Sequence, residues 1–346
     1  MIHFLFLIIA AVLIYLSCEW FVNAVEWLGK RIKIGPMAVG TILAAFGTAL
    51  PESIITLVAV LGNGAGQKDI GVGSALGGPL VLATIAYGIT GVAFYFYLRR
   101  HKAMHFLQEK LQYTETGMHK YFGDTKKLVH DQKWFLSIFV FKVALGLVAF
   151  SIKPWLGILF FLAYVMYFWN EIRSGHGGEH GDLDPLLMQK HKKSPDNWAI
   201  AVQTLVTLLV IFFASELFVH QLEAIGPMIG LSASLTALLF SPVATELPEI
   251  MNTIIWVRQG KTSLALANIS GSMMIQATIP SGLGILFTSW MFTAPLLLSG
   301  IITMIAIGYL LALMHWKRLT PITLGCAVLF YALFAALLPF VSSFSL

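Results

Sequence analysis

Two glutamates that follow prolines, Glu52 and Glu249, are the side chains in this sequence best placed to do chemistry. Each closes a short motif inside a long apolar stretch: Gly47-Thr48-Ala49-Leu50-Pro51-Glu52 and Ala244-Thr245-Glu246-Leu247-Pro248-Glu249. An ionisable group at membrane depth costs about 2.5 kcal/mol or more, so it reads as functional. A proline removes one backbone N–H and opens the helix, which frees carbonyl oxygens nearby. A free carbonyl, a threonine hydroxyl and a carboxylate within two turns form the hard-oxygen ligand set of a Ca²⁺-type or Na⁺-type site. Thr48 and Thr245 each lie four residues before their glutamate, so hydroxyl and carboxylate share a helix face. Glu246 lies three residues before Glu249 and adds a third carboxylate to that face, unless it turns toward a vestibule instead. Three close carboxylates repel unless a cation or a proton sits among them, which makes proton coupling physically easy.

The two motifs are copies of one another. Glu52 and Glu249 are 197 positions apart, and at the same offset Glu19 falls on Glu216 and Glu26 on Glu223. Glu19-Trp20-Phe21-Val22 returns as Glu216-Leu217-Phe218-Val219. A chain made of two related halves with matched intramembrane acids has the mark of a repeat-built transporter, with its site where the repeats meet. Glu26 and Glu223 read as interfacial acids near loops. For Glu19 and Glu216, with Asn23 and His220 close by, ion access or gating stands beside that reading.

Composition sets the elements that must position these groups. The chain has 346 residues, 58% hydrophobic and 11% charged, with mean hydropathy +0.80. A soluble domain carries about 25% charged residues, so this is an all-α membrane protein. The apolar runs are too long for the short alternating strands of an outer-membrane barrel. Runs long enough to span fall at 3–28, 36–61, 70–97, 135–151, 154–172, 198–222, 231–257, 262–287, 294–315 and 320–341. That predicts ten transmembrane helices, five per half. Five is odd, so the second half enters the membrane in the opposite sense, and the fold is two inverted five-helix repeats.

The first repeat covers 1–172 with its central motif region at 36–97. The second covers 198–346 with its motif region at 231–287, and a cytoplasmic linker spans 173–197. Met1-Ile2-His3-Phe4 has no basic residue before its apolar run, so the N-terminus reads as a first membrane helix. Of the 22 Lys and Arg residues, all but Lys68, Lys142 and Lys153 fall in the segments that are cytoplasmic if both termini lie outside. The positive-inside bias therefore predicts N-out and C-out, with the plasma (inner) membrane as the location. The formal charge of +5 follows from those loops and is no nucleic-acid signal. The partners expected are the lipid bilayer and inorganic cations; no oligomeric state is encoded legibly.

Two loops are longer. The segment 99–133 carries Leu107, Leu111 and Tyr113 at helical spacing and suggests an amphipathic helix on the inner leaflet. The linker holds His176, Glu179, His180, Asp182, Asp184 and His191 among glycines; it reads as a solvated connection, with a weak regulatory metal site as the alternative. Cys18 and Cys326 lie in apolar segments and suggest no disulfide or metal framework.

The eighth segment should complete the site. It reads Ala267-Asn268-Ile269-Ser270-Gly271-Ser272-Met273-Met274-Ile275-Gln276, and Ser272 and Gln276 offer oxygens one turn apart. The third, Gly73-Ser74-Ala75-Leu76-Gly77-Gly78-Pro79-Leu80-Val81-Leu82, is poorer in ligands, and its glycines read as contact points for neighbouring helices. Pro79 can free a carbonyl there.

This pattern resembles the cation/Ca²⁺ exchanger superfamily, and the sodium/calcium exchangers in particular, over nearly the whole chain. Their two repeats carry a G-T-S-x-P-E motif followed by a helix containing G-S-N, and Gly35-Pro36 and Val39-Gly40-Thr41 also fit. The resemblance implies ten helices in two inverted halves, with the second, third, seventh and eighth holding the ions and the first and sixth sliding across them. It implies Glu52 and Glu249 as central Ca²⁺ ligands, Thr48 and Thr245 with carbonyls near Ala45 and Pro242 around them, and Ser272 as a further ligand.

The chain departs from the pattern in several places. The motif serine is Ala49 in one half and Glu246 in the other, an expected acid on the eighth segment is Gln276, and the third segment has Gly78, Pro79 and Leu82 where the family has Ser and two Asn. These losses remove Na⁺ ligands and, with Gln276, point toward proton coupling.

The expected function is a secondary active antiporter exchanging Ca²⁺ for Na⁺ or H⁺ at a midplane carboxylate site. The alternatives are a Na⁺/H⁺ or other cation exchanger that does not use Ca²⁺, and a non-transporting cation-binding membrane sensor. Neither a phosphate-binding G-x-x-x-x-G-K-[ST] loop nor an H-E-x-x-H motif is present, so no cofactor and no enzyme activity are expected.

Overall fold

Apolar side chains decide which helices sit inside and which face lipid. The computed structural model describes residues 2–61, 65–101, 122, 125–174, 183–228, 230, 236 and 238–343. Among the described residues the chain is helical, without strands. Helix α1 (Ile2–Ile32) leads through Pro36–Ala38 and a π-helical turn, Val39–Ala44, into α2 (Ala45–Leu61). Helix α3 (Ala65–Val81) passes through a second π-turn, Leu82–Ala86, into α4 (Tyr87–Arg100). Helix α5 (Thr125–Leu145) and α6 (Gly157–Ser174) follow, then α7 (Asn197–Met228). The later elements are α8 (Ser241–Thr245), α9 (Leu247–Arg258), α10 (Thr262–Phe287), α11 (Ala294–His315), α12 (Pro321–Gly325) and α13 (Val328–Ser343).

Seven helices among the described residues are long and apolar enough to cross a membrane, and eight if the bent pair Pro36–Ala49 and Glu52–Leu61 counts as one span. The protein is therefore an integral membrane protein. The fourth and seventh expected spans do not pass that test. The fourth begins ten residues earlier than hydropathy predicts, at Thr125, and ends at Leu145. Its first turns are polar, yet Asp131 and Gln132 are fully buried. Gln132 Nε2 donates to Tyr87 Oη (2.7 Å) and to Ser270 Oγ (3.1 Å). Interior hydrogen bonds thus carry a polar stretch that a hydropathy window assigns to a loop. The seventh is interrupted at Glu246, where two short helices meet. Leu107, Leu111 and Tyr113, and the linker residues 176–182, lie outside the described residues.

Helix α10 is the buried axis of the bundle, with 83% of its spanning window inside, against 22% for α7. Small residues allow this. A methyl group at Gly271 would stand 2.2 Å from the Thr41 carbonyl oxygen, and one at Gly40 would stand 2.8 Å from Ala267 Cβ. The turn before α2 therefore crosses α10 at backbone contact. That crossing fixes Thr48 and Glu52 relative to Ser272 and Gln276. Helices α1 and α7 pack along one another at the periphery. Their outer faces carry Ile2, Leu5, Ile8, Val12 and Leu16, and Leu205, Leu209 and Phe213, all exposed. Such stripes suit lipid.

The described part of the linker is docked rather than solvated. Trp27 Nε1 donates to the Asp184 carbonyl (2.9 Å), Leu187 N to Asn23 Oδ1 (2.9 Å) and Met188 N to Gln203 Oε1 (2.9 Å). Leu186 is fully buried beneath these bonds. Polar tips on the ends of α1 and α7 capture backbone groups of the linker, a pairing that no local pattern announces. Asn23 is thus a docking residue for the linker.

Candidate functional site

The break between α8 and α9 presents two of the three central carboxylates. Pro248 has no N–H, and the chain leaves helical geometry at Glu246 (φ −86°, ψ 2°) before α9 begins. Glu246 and Glu249 are each 1% exposed and Glu52 is 5% exposed, so all three are withdrawn from solvent and lipid. Glu52 Oε1 and Glu246 Oε1 lie within 2.8 Å of one point, the place a Cβ would take at position 78, and Thr48, Glu52, Glu246 and Glu249 line one cavity. The carboxylates of α2 and of the α8–α9 break therefore meet, as the matched motifs predict.

The third and eighth segments close round them. Gln276 Nε2 donates to Glu246 Oε1 (2.7 Å), and Ser74 Oγ donates to Glu52 Oε1 (3.0 Å). Gly78 forms the floor. The position a Cβ would take there lies 2.6 Å from Gln276 Oε1, 2.7 Å from Glu246 Oε1 and 2.8 Å from Glu52 Oε1. Three oxygens from three segments thus converge on space that any side chain at position 78 would fill. Gly77 keeps the packing role expected of it, since a methyl there would lie 2.8 Å from Pro242 Cγ.

Several of these atoms have no partner. Glu52 Oε2, Glu246 Oε2, Glu249 Oε2, Ser272 Oγ and Gln276 Oε1 are buried and accept no hydrogen bond, and neither amide atom of Asn252 or Asn268 is bonded. Buried oxygens left unsatisfied cost free energy, about 1–3 kcal/mol each, and call for an explanation such as an ion. Among the described residues no group of three or more His, Cys, Asp and Glu is arranged to hold a metal ion. The converging set is of mixed type, with carboxylate, amide and hydroxyl oxygens, which suits a hard cation better than a soft one.

Other expected ligands are placed less favourably. Thr48 Oγ1 donates to the Ala44 carbonyl (3.0 Å) and Thr245 Oγ1 to the Pro242 carbonyl (3.0 Å). The Pro242 carbonyl also accepts from Glu246 N (3.2 Å), so it is committed to the helix break in this conformation. Ala45 is buried at the start of α2, one turn before Thr48.

Two cavities adjoin the carboxylates. A small one of about 30 Å³ is lined by Thr48, Glu52, Thr245, Glu246 and Glu249, with Ser215 and Glu216 of α7. A larger one of about 650 Å³ is lined by Glu52, Ser74 and Gly78 on one side and by Glu216 and Glu223 on the other. Glu216 lines both, whereas its counterpart Glu19 is exposed on α1. Glu26, near the end of α1, is buried, accepting from Lys261 Nζ (2.8 and 2.6 Å) and Trp256 Nε1 (2.8 Å), and it ties α1 to the junction of α9 and α10. Glu223 is exposed and accepts from Ser241 Oγ (3.2 Å).

Sequence reasoning missed Ser74, Asn252 and the part that Gly78 plays. Asn252 lies one turn after Glu249 in an apolar helix, a spacing that could have flagged it. It also missed Lys142, which is fully buried. Its Nζ donates to the Ala75 carbonyl (2.7 Å) and to Ser281 Oγ (3.1 Å).

With this geometry in view, the sequence signature described as sodium/calcium exchanger protein matches residues 2–172 and 199–342. The chain belongs to that family. It is a family of transporters rather than enzymes. The chain is 22% identical to Sodium/calcium exchanger MaX1 of Methanosarcina acetivorans, over 97% of this chain and 98% of that protein. It is 23% identical to Inner membrane protein YrbG of Escherichia coli, over 90% of this chain and 88% of that one. Among solved structures it is similar to the sodium-calcium exchanger NCX_Mj, soaked with Na⁺ and Sr²⁺, with TM-score 0.72 and 15% identity over 97% of this chain and 98% of that chain. At that identity the likeness shows the fold alone.

Proposed function

We propose that this protein is a secondary active antiporter that exchanges Ca²⁺ for Na⁺ or H⁺ by alternating access, with Glu52, Glu246 and Glu249 holding the ion. One observation carries the reading: buried, partnerless oxygens from α2, the α8–α9 break and α10 crowd together beside a cavity of about 30 Å³. That space suits one or two waters or a single dehydrated ion. Ser272 and Gln276 add oxygens from α10, and Thr48, Thr245 and the carbonyls near Ala45 and Pro242 join when the helix break moves. Glu216 and Glu223 line the larger cavity and draw cations toward Glu52.

The architecture that goes with this function is ten transmembrane helices in two inverted five-helix repeats, 1–172 and 198–346, joined by a cytoplasmic linker at 173–197. Both termini lie outside a plasma (inner) membrane. The matched acids and the loop charges support it. So do the names of the relatives, one called a sodium/calcium exchanger and one an inner membrane protein.

The test is ⁴⁵Ca²⁺ uptake into proteoliposomes under an outward Na⁺ gradient and, separately, an outward H⁺ gradient, with Glu52→Gln beside wild type. Uptake under one gradient, lost at least a hundredfold in Glu52→Gln, is the expected result and names the coupling ion. A second reading is a Na⁺/H⁺ or other cation exchanger that does not use Ca²⁺. It predicts Na⁺ or H⁺ flux insensitive to Ca²⁺. Ion binding without any flux would make the protein a sensor instead.

A further inference from the structure

We infer that the larger cavity binds an amphipathic organic cation, a single ammonium on an apolar body, with its head between Glu52 and Glu216. At about 650 Å³ the cavity falls in the size range of small-molecule sites, about 300–1,000 Å³. A bare ion needs far less, and the adjoining cavity of about 30 Å³ is already of that size.

The walls specify the chemistry. The carboxylates of Glu52, Glu216 and Glu223 line the cavity, and among the described residues no Lys, Arg or His does. Five hydroxyl residues line it as well, and four of them give their proton elsewhere. Ser74 donates to Glu52 (3.0 Å), Ser241 to Glu223 (3.2 Å), Thr245 to the Pro242 carbonyl (3.0 Å) and Ser299 to the Leu76 carbonyl (3.3 Å). What these groups offer a ligand is therefore acceptors. An ammonium has three donors and no acceptor, so it matches them, and an anion does not. Glu52 is only 5% exposed, and its Oε2 has no partner, which leaves one buried acceptor open.

The remaining wall is apolar. Leu80, Val219, Leu238, Met291, Leu296 and Phe334 present surface that a hydrated inorganic ion cannot use, whereas covering it with an alkyl or aryl body is favourable. Glu52 and Glu216 line the small cavity too, so an ammonium between them stands where the two cavities adjoin and closes one from the other. Met291 and Thr293, between α10 and α11, are exposed and line the larger cavity, so it opens at that end of the bundle.

The binding rests on the cavity; only the block of exchange rests on the antiport reading, and the experiment separates them. Calorimetry on the full chain in detergent compares 4,4-diphenylbutylamine, its neutral counterpart 4,4-diphenylbutanol, and n-butylamine, which lacks the aromatic body. The first should bind at least tenfold more tightly than either of the others. Gly73 lines the cavity, and a Cβ there meets nothing within 4 Å, so a side chain at this position enters open space. Gly73→Trp should weaken the amine at least tenfold, and Glu216→Gln should narrow the gap between amine and alcohol.

Equal affinities for amine and alcohol, the behaviour of a cavity that takes lipid chains, overturn the inference. So does undiminished amine binding in Gly73→Trp with an unchanged elution profile; if that variant does not fold, Leu238→Trp fills the same cavity in its place. In proteoliposomes the amine should raise the Ca²⁺ concentration for half-maximal ⁴⁵Ca²⁺ uptake and leave the maximum unchanged. Binding without any effect on uptake overturns the seat between Glu52 and Glu216. If wild type moves no Ca²⁺, the Ca²⁺ reading fails, and calorimetry still decides about the amine.

Discussion

Gly78 shows how much of this site depends on an absent atom. A Cβ there would lie within 2.8 Å of oxygens from Glu52, Glu246 and Gln276, the ends of three flexible side chains, so these oxygens would have to turn away from the space they share. Gly78→Ala should therefore weaken Ca²⁺ binding at least tenfold, about 1.4 kcal/mol, without unfolding the bundle. Equilibrium ⁴⁵Ca²⁺ binding beside size-exclusion chromatography measures it. An unchanged affinity would mean that these oxygens do not hold the ion. Gly78 makes room for Glu246 and Gln276 to reach in from α8–α9 and α10. A sequence comparison counts Gly78 as a loss of a ligand, while the geometry counts it as space for others.

Helix α10 works as an element because its neighbours approach its backbone. At Gly271 a methyl group would meet the Thr41 carbonyl at 2.2 Å, whereas at Gly73 on α3 it would meet nothing within 4 Å. The same substitution should thus act with opposite sign. Gly271→Ala should destabilise by about 1–3 kcal/mol through overpacking. Gly73→Ala should stabilise by about 0.4–1 kcal/mol by restricting the unfolded chain. Thermal unfolding in detergent, followed by intrinsic fluorescence or a thiol-reactive dye, reads both. A Gly271→Ala protein as stable as wild type would show that the turn at Val39–Ala44 can withdraw from α10, so that the crossing does not hold Thr48 and Glu52 in place.

At the scale of the whole molecule, the loop charges predict which side of the membrane each end of the bundle faces. With both termini outside, Ile152, between α5 and α6, lies outside, and Lys317, after α11, lies in the cytoplasm. Both are exposed. In a background without Cys18 and Cys326, Ile152→Cys should react with an impermeant maleimide in intact spheroplasts. Lys317→Cys should react only after permeabilisation. The reverse pattern would invert the orientation proposed for the bundle and the direction in which the larger cavity faces.

The sequence by itself determined the class, the family and the two acids at the centre. Hydropathy, loop charge and a repeat with a fixed offset are written one residue at a time, and no folding is needed to read them. The same holds for Glu246 and Gln276, whose spacing put them near Glu249 and Ser272, and the structure joins them by a hydrogen bond. What only the tertiary structure decided are the pairings across segments. The start of α5 at Thr125 rests on Gln132 meeting Tyr87 and Ser270. The docking of the linker rests on Trp27 and Asn23. The seat of Lys142 rests on the Ala75 carbonyl, which Pro79 leaves open on α3. In each case a polar group is affordable in an apolar interior only because a partner far along the chain satisfies it. That partner becomes visible once the helices cross.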